Sequence, residues 1–305
     1  MDSMLIRELQ SYADEDYKIR VCVCRLWRGK RINPERNDGL HCILVDERGD
    51  AIHGITSEAN YSSVSGKLKQ GEIYLISDFY VRDSQDDYKV MDNSIQAHFN
   101  GKTKFKLLHN SFPQIPQHRF YLLDYNQLKN RIGKTKLLTD LFGCVKSIMP
   151  VEEVNTRDGI ESKCEITLQN FRREETRVTL WGDSARKVDI DTIESLPPPV
   201  LMVITSLKVK KYKEMPAPSN TSHTCIFINP EIPQADPYKI DYRIHATIED
   251  PNSEATVKLR GKAAEQLFGI TCKELIDKYP YAPQETLPQE ILQTRADPHF
   301  PNPNQ

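Results

Sequence analysis

Aromatic side chains set among cations at strand spacing are the residues of this chain best fitted to do chemistry. In Thr176-Arg-Val-Thr-Leu-Trp-Gly-Asp-Ser-Ala185, alternation sends Thr176, Val178 and Leu180 to one face of a strand and Arg177, Thr179 and Trp181 to the other. Further along, Lys208-Val-Lys-Lys-Tyr-Lys213 sets Tyr212 among Lys208, Lys210, Lys211 and Lys213. A flat ring beside cations stacks on a nucleobase while the cations hold the phosphates. The same residues also fit a plainer role, with Trp181 filling a core edge and the lysines solvating an edge strand. Arg157, in the loop Asn155-Thr-Arg-Asp-Gly159, can close over a bound strand or serve as an ordinary exposed loop arginine.

Other chemistry finds no foothold. The sequence lacks a Gly-x-x-x-x-Gly-Lys-Ser/Thr phosphate loop, a His-Glu-x-x-His pair and a Gly-x-Ser-x-Gly elbow, so no enzyme is expected. His41, His53 and His245 stand alone on strand patterns and read as surface or hydrogen-bonded histidines. The 7 cysteines form no Cys-x-x-Cys pair; they read as reduced, mostly buried thiols, and neither zinc nor another cofactor is expected.

The elements that must position these residues are strands. Alternation over 17–27, 39–47, 50–57, 73–81 and 88–99, with Glu47-Arg-Gly-Asp50 as a hairpin signal, gives five strands with a short helix or loop between the third and fourth. That order suits a small oligonucleotide/oligosaccharide-binding (OB) barrel. It repeats over 140–149, 162–170, 176–181, 199–212 and 223–228, with a short helix expected to start at a capping Asp183. A third, incomplete copy spans 242–278: aligning Leu180-Trp-Gly-Asp-Ser-Ala185 with Leu259-Arg-Gly-Lys-Ala-Ala264 exposes the repeat. A lone hairpin is marginal in water, so this fragment needs cover from its own helices or from the second barrel. The expected class is mainly β with a few short helices, built from tandem OB barrels, two complete and one partial. The expected layout is a first OB fold over 1–110, a linker with a short helix over 111–136, a second OB fold over 137–233, the partial third over 234–278 and a Pro-rich, extended or disordered tail over 279–305.

Arg177-Val-Thr-Leu-Trp-Gly-Asp-Ser-Ala185, Lys208 with Tyr212, and Ile228-Asn-Pro-Glu-Ile-Pro233 resemble the second DNA-binding domain of the replication protein A large subunit. Val23-Cys-Arg-Leu-Trp27 and Leu44-Val-Asp-Glu-Arg-Gly49 resemble the preceding domain in its plant-type form. The resemblance implies that Trp181 and Tyr212 stack on bases, with Lys208 as a strand cation and Lys163 as a cation opening the second strand. In that family the third domain carries a zinc ribbon and heterotrimer assembly; here the ribbon is missing, which puts the partner subunits in doubt. The first barrel departs from the pattern, because His53-Gly-Ile-Thr stands where the second has Leu180-Trp-Gly. Trp27 and one of Phe79 and Tyr80 are its replacement aromatics, with Arg25 and Arg31 for phosphates. The first barrel is expected to bind weakly or not at all.

A net charge of −2 is unusual for a nucleic-acid binder, so any basic surface must be local. No run is long and apolar enough to cross a membrane, no secretory signal opens the chain, and the resemblance implies the nucleus. The main expectation is a single-stranded DNA-binding protein of replication, repair or recombination. A protein-interaction scaffold with little DNA contact, or an RNA-binding OB protein, is the alternative.

Overall fold

In the computed structural model of the chain, the described residues are 3–12, 17–30, 37–85, 87–109, 113–134, 136–157, 159–238, 243–250, 253–260, 262–270 and 272–278. They divide into two compact units, Met1–Ala235 and Asp236–Gln305. The expected tail over 279–305 lies outside the described residues, as do Arg31 and Tyr242.

The first sheet of the larger unit contains β1 (Lys18–Lys30), β2 (Asn37–Val45), β3 (Ala51–Thr56), β4 (Ile73–Ser77), β5 (Tyr80–Asp83), β6 (Ile95–Phe99) and β7 (Lys104–Leu107). A short helix, α1 (Tyr61–Val64), follows β3. The order β5-β6-β3-β2-β1-β4-β7 curls the sheet, with β3 and β6 parallel and the other ladders antiparallel. Asp78, at φ 58°, breaks what the sequence suggested was one strand over 73–81, sending Phe79 into the core and leaving Tyr80 exposed on the edge strand β5. Ile19, Val21, Val23, Leu44, Ile52 and Ile76 fill that core.

The second sheet contains β8 (Thr139–Ile148), β9 (Glu152–Thr156), β10 (Gly159–Gln169), β11 (Glu175–Trp181), β12 (Leu201–Tyr212), β13 (Met215–Ser219) and β14 (Ile226–Ile228). Its order is β11-β13-β12-β8-β10-β9, with β10 also paired to β11 and β14 to β12. The contact between β11 and β13 is one residue pair, Thr179 with Ser219, so this sheet too curls without a full closing seam. Both sheets are OB-like, and the expectation of two complete closed barrels is corrected to that extent. Thr176, Val178 and Leu180 point inward as alternation requires, against Leu141, Ile166, Met202 and Ile204. Two short helices follow, α2 (Asp183–Arg186) and α3 (Ile190–Ser195). Asp183 does not cap α2: Gly182 holds that position at φ 59°, a left-handed turn that favours glycine, and the Asp183 carboxylate pairs with Arg186 instead.

A bulge decides how the two sheets meet. In β1 the pairing with β2 slips between Val23 and Arg25, so alternation reverses at Cys24 and turns Arg25 and Trp27 outward with Cys22. The outer face of the first sheet is then buried: Cys22, Cys24, Ile43, Val45 and Ala51 pack with Val90, Met91, Ile115 and Leu138. Arg25, 2% exposed, donates to Ser206 Oγ at 3.0 Å and Asp140 Oδ2 at 3.4 Å. Asp140 also accepts the Ser206 N–H at 2.8 Å and the Tyr121 N–H at 3.2 Å.

In the smaller unit, β15 (Arg243–Asp250) and β16 (Ser253–Arg260) form an antiparallel hairpin, followed by α4 (Lys262–Phe268) and α5 (Cys272–Lys278). Ala264 and Leu275 are buried in a small cluster with Phe268, Ile270 and Cys272, so its helices cover one another in part.

A buried charge stripped of its partner is costly, so Arg25→Ala should lower the unfolding free energy by about 3–5 kcal/mol in urea melts. Arg25→Met combined with Asp140→Asn, which keeps an acceptor for Ser206, should recover part of that loss. An Arg25→Ala protein as stable as the parent would contradict this account of the interface.

Candidate nucleic-acid interface

The outward side chains of β10 and β11 floor an open groove of about 940 Å³. Glu165 and Thr167 come from β10 and Arg177 and Thr179 from β11; Lys146 stands at one wall and Tyr212, Lys213, Met215 and Ala217 of the β12–β13 hairpin at the other. The lining holds four cations, Lys129, Lys146, Arg177 and Lys213, against two carboxylates, Glu165 and Glu175. A near-neutral protein thus carries a locally basic groove.

The hairpin explains Tyr212. Lys213 and Glu214 both have positive φ, 46° and 65°, making a tight two-residue turn that closes β12 onto β13. Tyr212, Met215 and their neighbours are carried beyond the core, leaving Tyr212 65% exposed with the Lys213 ammonium 5.5 Å from its ring centre. Lys208, Lys210 and Tyr212 share one face of β12 by alternation. Lys208 is half-buried, and that burial, then the charge of Lys210, holds its ammonium below the ordinary lysine pKa. Lys210 is exposed.

Trp181 follows Arg177 and Thr179 on the outward row at the end of β11, beyond the residues that line the groove. Asn220 clamps its backbone, accepting the Trp181 N–H at 2.8 Å and donating to the Trp181 carbonyl at 3.2 Å. The indole is partly exposed beside Lys163, its pairing partner on β10. Lys163 is ion-paired to Glu152 at 2.9 Å and Glu165 at 3.0 Å, in that order of influence raising its pKa. Arg157 sits exposed at the turn between β9 and β10.

The first sheet places its candidates elsewhere. Arg25, expected at a phosphate, is buried in the ion pair with Asp140. Trp27 rests against His41 and His53, ring centres 5.4 and 5.6 Å away, and donates from Nε1 to His223 Nδ1 at 3.1 Å. Tyr80 is exposed on β5 with the Arg82 guanidinium 5.4 Å from its ring, away from the β1–β2–β3 face. Sequence reasoning overlooked Lys146 and Arg177 as groove cations, the Arg177 guanidinium standing exposed 3.4 Å from Glu165.

Among the described residues, no group of three or more His, Cys, Asp or Glu is placed to hold a metal ion, and no helix is long and apolar enough to cross a membrane.

Comparison with known proteins agrees at the level of a distant relation. Residues 8–125 match the family described as Domain of unknown function DUF223. A 70 kDa DNA-binding subunit of replication protein A from Arabidopsis thaliana is 25% identical over 218 residues, 70% of this chain and 34% of that protein. "Replication factor A protein 1" of Schizosaccharomyces pombe is 22% identical over 234 residues, 75% of this chain and 36% of that protein. The chain therefore spans about a third of the length of these relatives. A chain from a replication protein A heterotrimer bound to ssDNA matches with TM-score 0.54 at 13% identity, over 95% of this chain and 88% of that one, a likeness of fold. The relation to OB-fold proteins of the replication protein A group is distant and partial, and the plant-type large subunit is not singled out within it.

The histidines behind Trp27 make the interface sensitive to acid. Burial first, then His41, holds the His53 imidazole well below its ordinary pKa. An unfolded histidine titrates near 6.5, so below about that pH the unfolded chain takes up a proton the folded one refuses, and stability falls with pH. His53→Gln should flatten the fall in melting temperature between about pH 6.5 and pH 5; an unchanged slope would contradict the assignment.

Proposed function

We propose that this chain binds single-stranded DNA without catalysis, holding it along the groove of the second sheet. The observation that carries the reading is the joining of Tyr212, Arg177, Thr179 and a cationic lining in one open groove, with Trp181 next on the same outward row of β11. Bases stack on Trp181 and Tyr212, each ring held by a short turn or a backbone clamp. Lys146, Arg177 and Lys213 neutralise phosphates, with Lys208 and Lys210 beside them on β12 and Arg157 closing from the β9–β10 turn. Lys163 is committed to Glu152 and Glu165 and serves to orient the wall beside Trp181. The distant relation to replication protein A subunits supports a nuclear role in replication, repair or recombination. It also supports partner subunits of that assembly, with heterotrimer formation turning on the incomplete third copy. The layout proposed with it is a first OB fold over 1–110, a linker over 111–136, a binding OB fold over 137–233 and a partial third over 234–278.

A second reading has its own observation. The outer face of the first sheet is covered by the chain's own residues and offers no open stacking surface, which fits a protein-interaction scaffold with little DNA contact. Binding and scaffold readings separate in a titration of labelled oligo-dT across a salt series, with oligo-U as competitor. Strand binding weakens with salt, log K falling by about 0.7 per phosphate neutralised for each tenfold rise in salt concentration. Trp181→Ala and Tyr212→Ala should each cost about 1–3 kcal/mol of affinity with the fold intact. No binding at low salt, or variants that bind like the parent, would remove the DNA reading in favour of the scaffold.

A further inference from the structure

A second opening, of about 600 Å³, lies between the first and second sheets of the larger unit. Its volume is in the range of small-ligand sites. Leu26, Trp27 and Arg28 of β1 form one side; Asp183, Ser184 and Lys187 at α2 and the segment from Thr221 to Ile226 form the other.

The cleft is built rather than left over. Trp27 cannot swing, because His41 and His53 support its ring at 13–16° from parallel and His223 accepts its N–H. The opposite wall is fixed too: Thr221 and Thr224 donate their hydroxyls to the Ser206 carbonyl at 2.8 and 3.3 Å, and Ser206 is held by Arg25 and Asp140. Cations flank the indole. Arg28 pairs with Glu58 at 2.7 Å and lies 3.9 Å from the centre of the Tyr61 ring. Lys187 is exposed and makes no ion pair among the described residues, while the Asp183 carboxylate is occupied by Arg186.

Two segments of the cleft wall follow directly in the chain on Trp181 and on the residue that clamps it. Trp181 is followed by Gly182, whose φ of 59° turns the chain into α2, and the cleft residues Asp183 and Ser184 come next. Asn220, which clamps Trp181, is followed directly by the cleft residue Thr221.

Building on the proposed function, we propose that the cleft is a nucleotide subsite for the same single strand, one base resting on Trp27 and its phosphate held by Lys187 and Arg28. The first sheet then contributes to binding through the edge of its buried face and not through that face itself. A rigid aromatic surface with cations in the same opening, its walls joined in the chain to Trp181 and Asn220, selects a nucleotide over an apolar ligand.

The test uses the full chain and dT oligomers of about 6 and about 16 nucleotides, lengths that one OB fold and its surroundings can take. Lys187→Glu alters an exposed side chain and should weaken the longer oligomer about five- to tenfold while leaving the shorter one unchanged. The chain has 2 tryptophans, so Trp181→Phe leaves Trp27 as the sole indole reporter. Its emission should be quenched by the longer oligomer. Equal loss at both lengths, no loss, or unmoved Trp27 emission on binding would overturn the subsite and leave the groove reading standing. Failure of both oligomers to bind the parent protein at low salt would overturn the groove reading, and the subsite with it.

Discussion

The buried contact of Arg25 with Asp140 and Ser206 is the constraint on which the larger unit depends. Asp140 lies on β8, Ser206 on the irregular stretch of β12 where φ reaches 54°, and Arg25 on β1 just past the Cys24 bulge. Each group uses its bonding capacity on the others: Asp140 takes two backbone amides as well as the guanidinium, and the Ser206 carbonyl takes two threonine hydroxyls. A charge pair this deep repays its desolvation only through such additional bonds. It does more for geometry than for net stability. It sets the angle at which the first sheet meets the second, and with it the width of the cleft at Trp27.

That packing also explains why the two sheets play unequal parts. The outer face of β10 and β11 stays open, with Lys129, Lys146 and Lys213 around it, whereas its counterpart on β1, β2 and β3 is covered by Val90, Met91, Ile115 and Leu138. His41 and His53 stand on the covered face as mutually bonded rings, Nδ1 of the first 3.1 Å from Nε2 of the second. The missing third-strand aromatic of the first copy and the burial of its sheet belong together: a face that packs against protein has no use for a stacking ring.

Much of the groove could be read in the sequence, because Thr176 to Trp181 follow strict alternation and the inward and outward rows fell as the side-chain period requires. Trp27 could not be read that way. Its face depends on one extra residue at Cys24, and nothing in Val23-Cys-Arg-Leu-Trp27 announces a bulge. Arg25 was assigned to phosphates because its partner lies 115 residues away, a separation no local pattern reveals. The strands β9 and β13 were missed for a different reason: Glu-Glu-Val-Asn-Thr and Met-Pro-Ala-Pro-Ser are too polar or proline-rich to carry a strand signature, and pairing to β10 and β12 makes them strands. Asp183 had the chemistry of a helix cap, yet the turn needed after Trp181 placed Gly182 there.

The central claim is that a single strand lies along β11 and the β12–β13 hairpin. Photocrosslinking a 5-iodouracil-substituted oligomer at low salt, with the adducts mapped by mass spectrometry, tests it most directly. The account predicts adducts at Trp181 and Tyr212. Adducts confined to residues of the first sheet, or none at all from a protein that binds the oligomer, would contradict it.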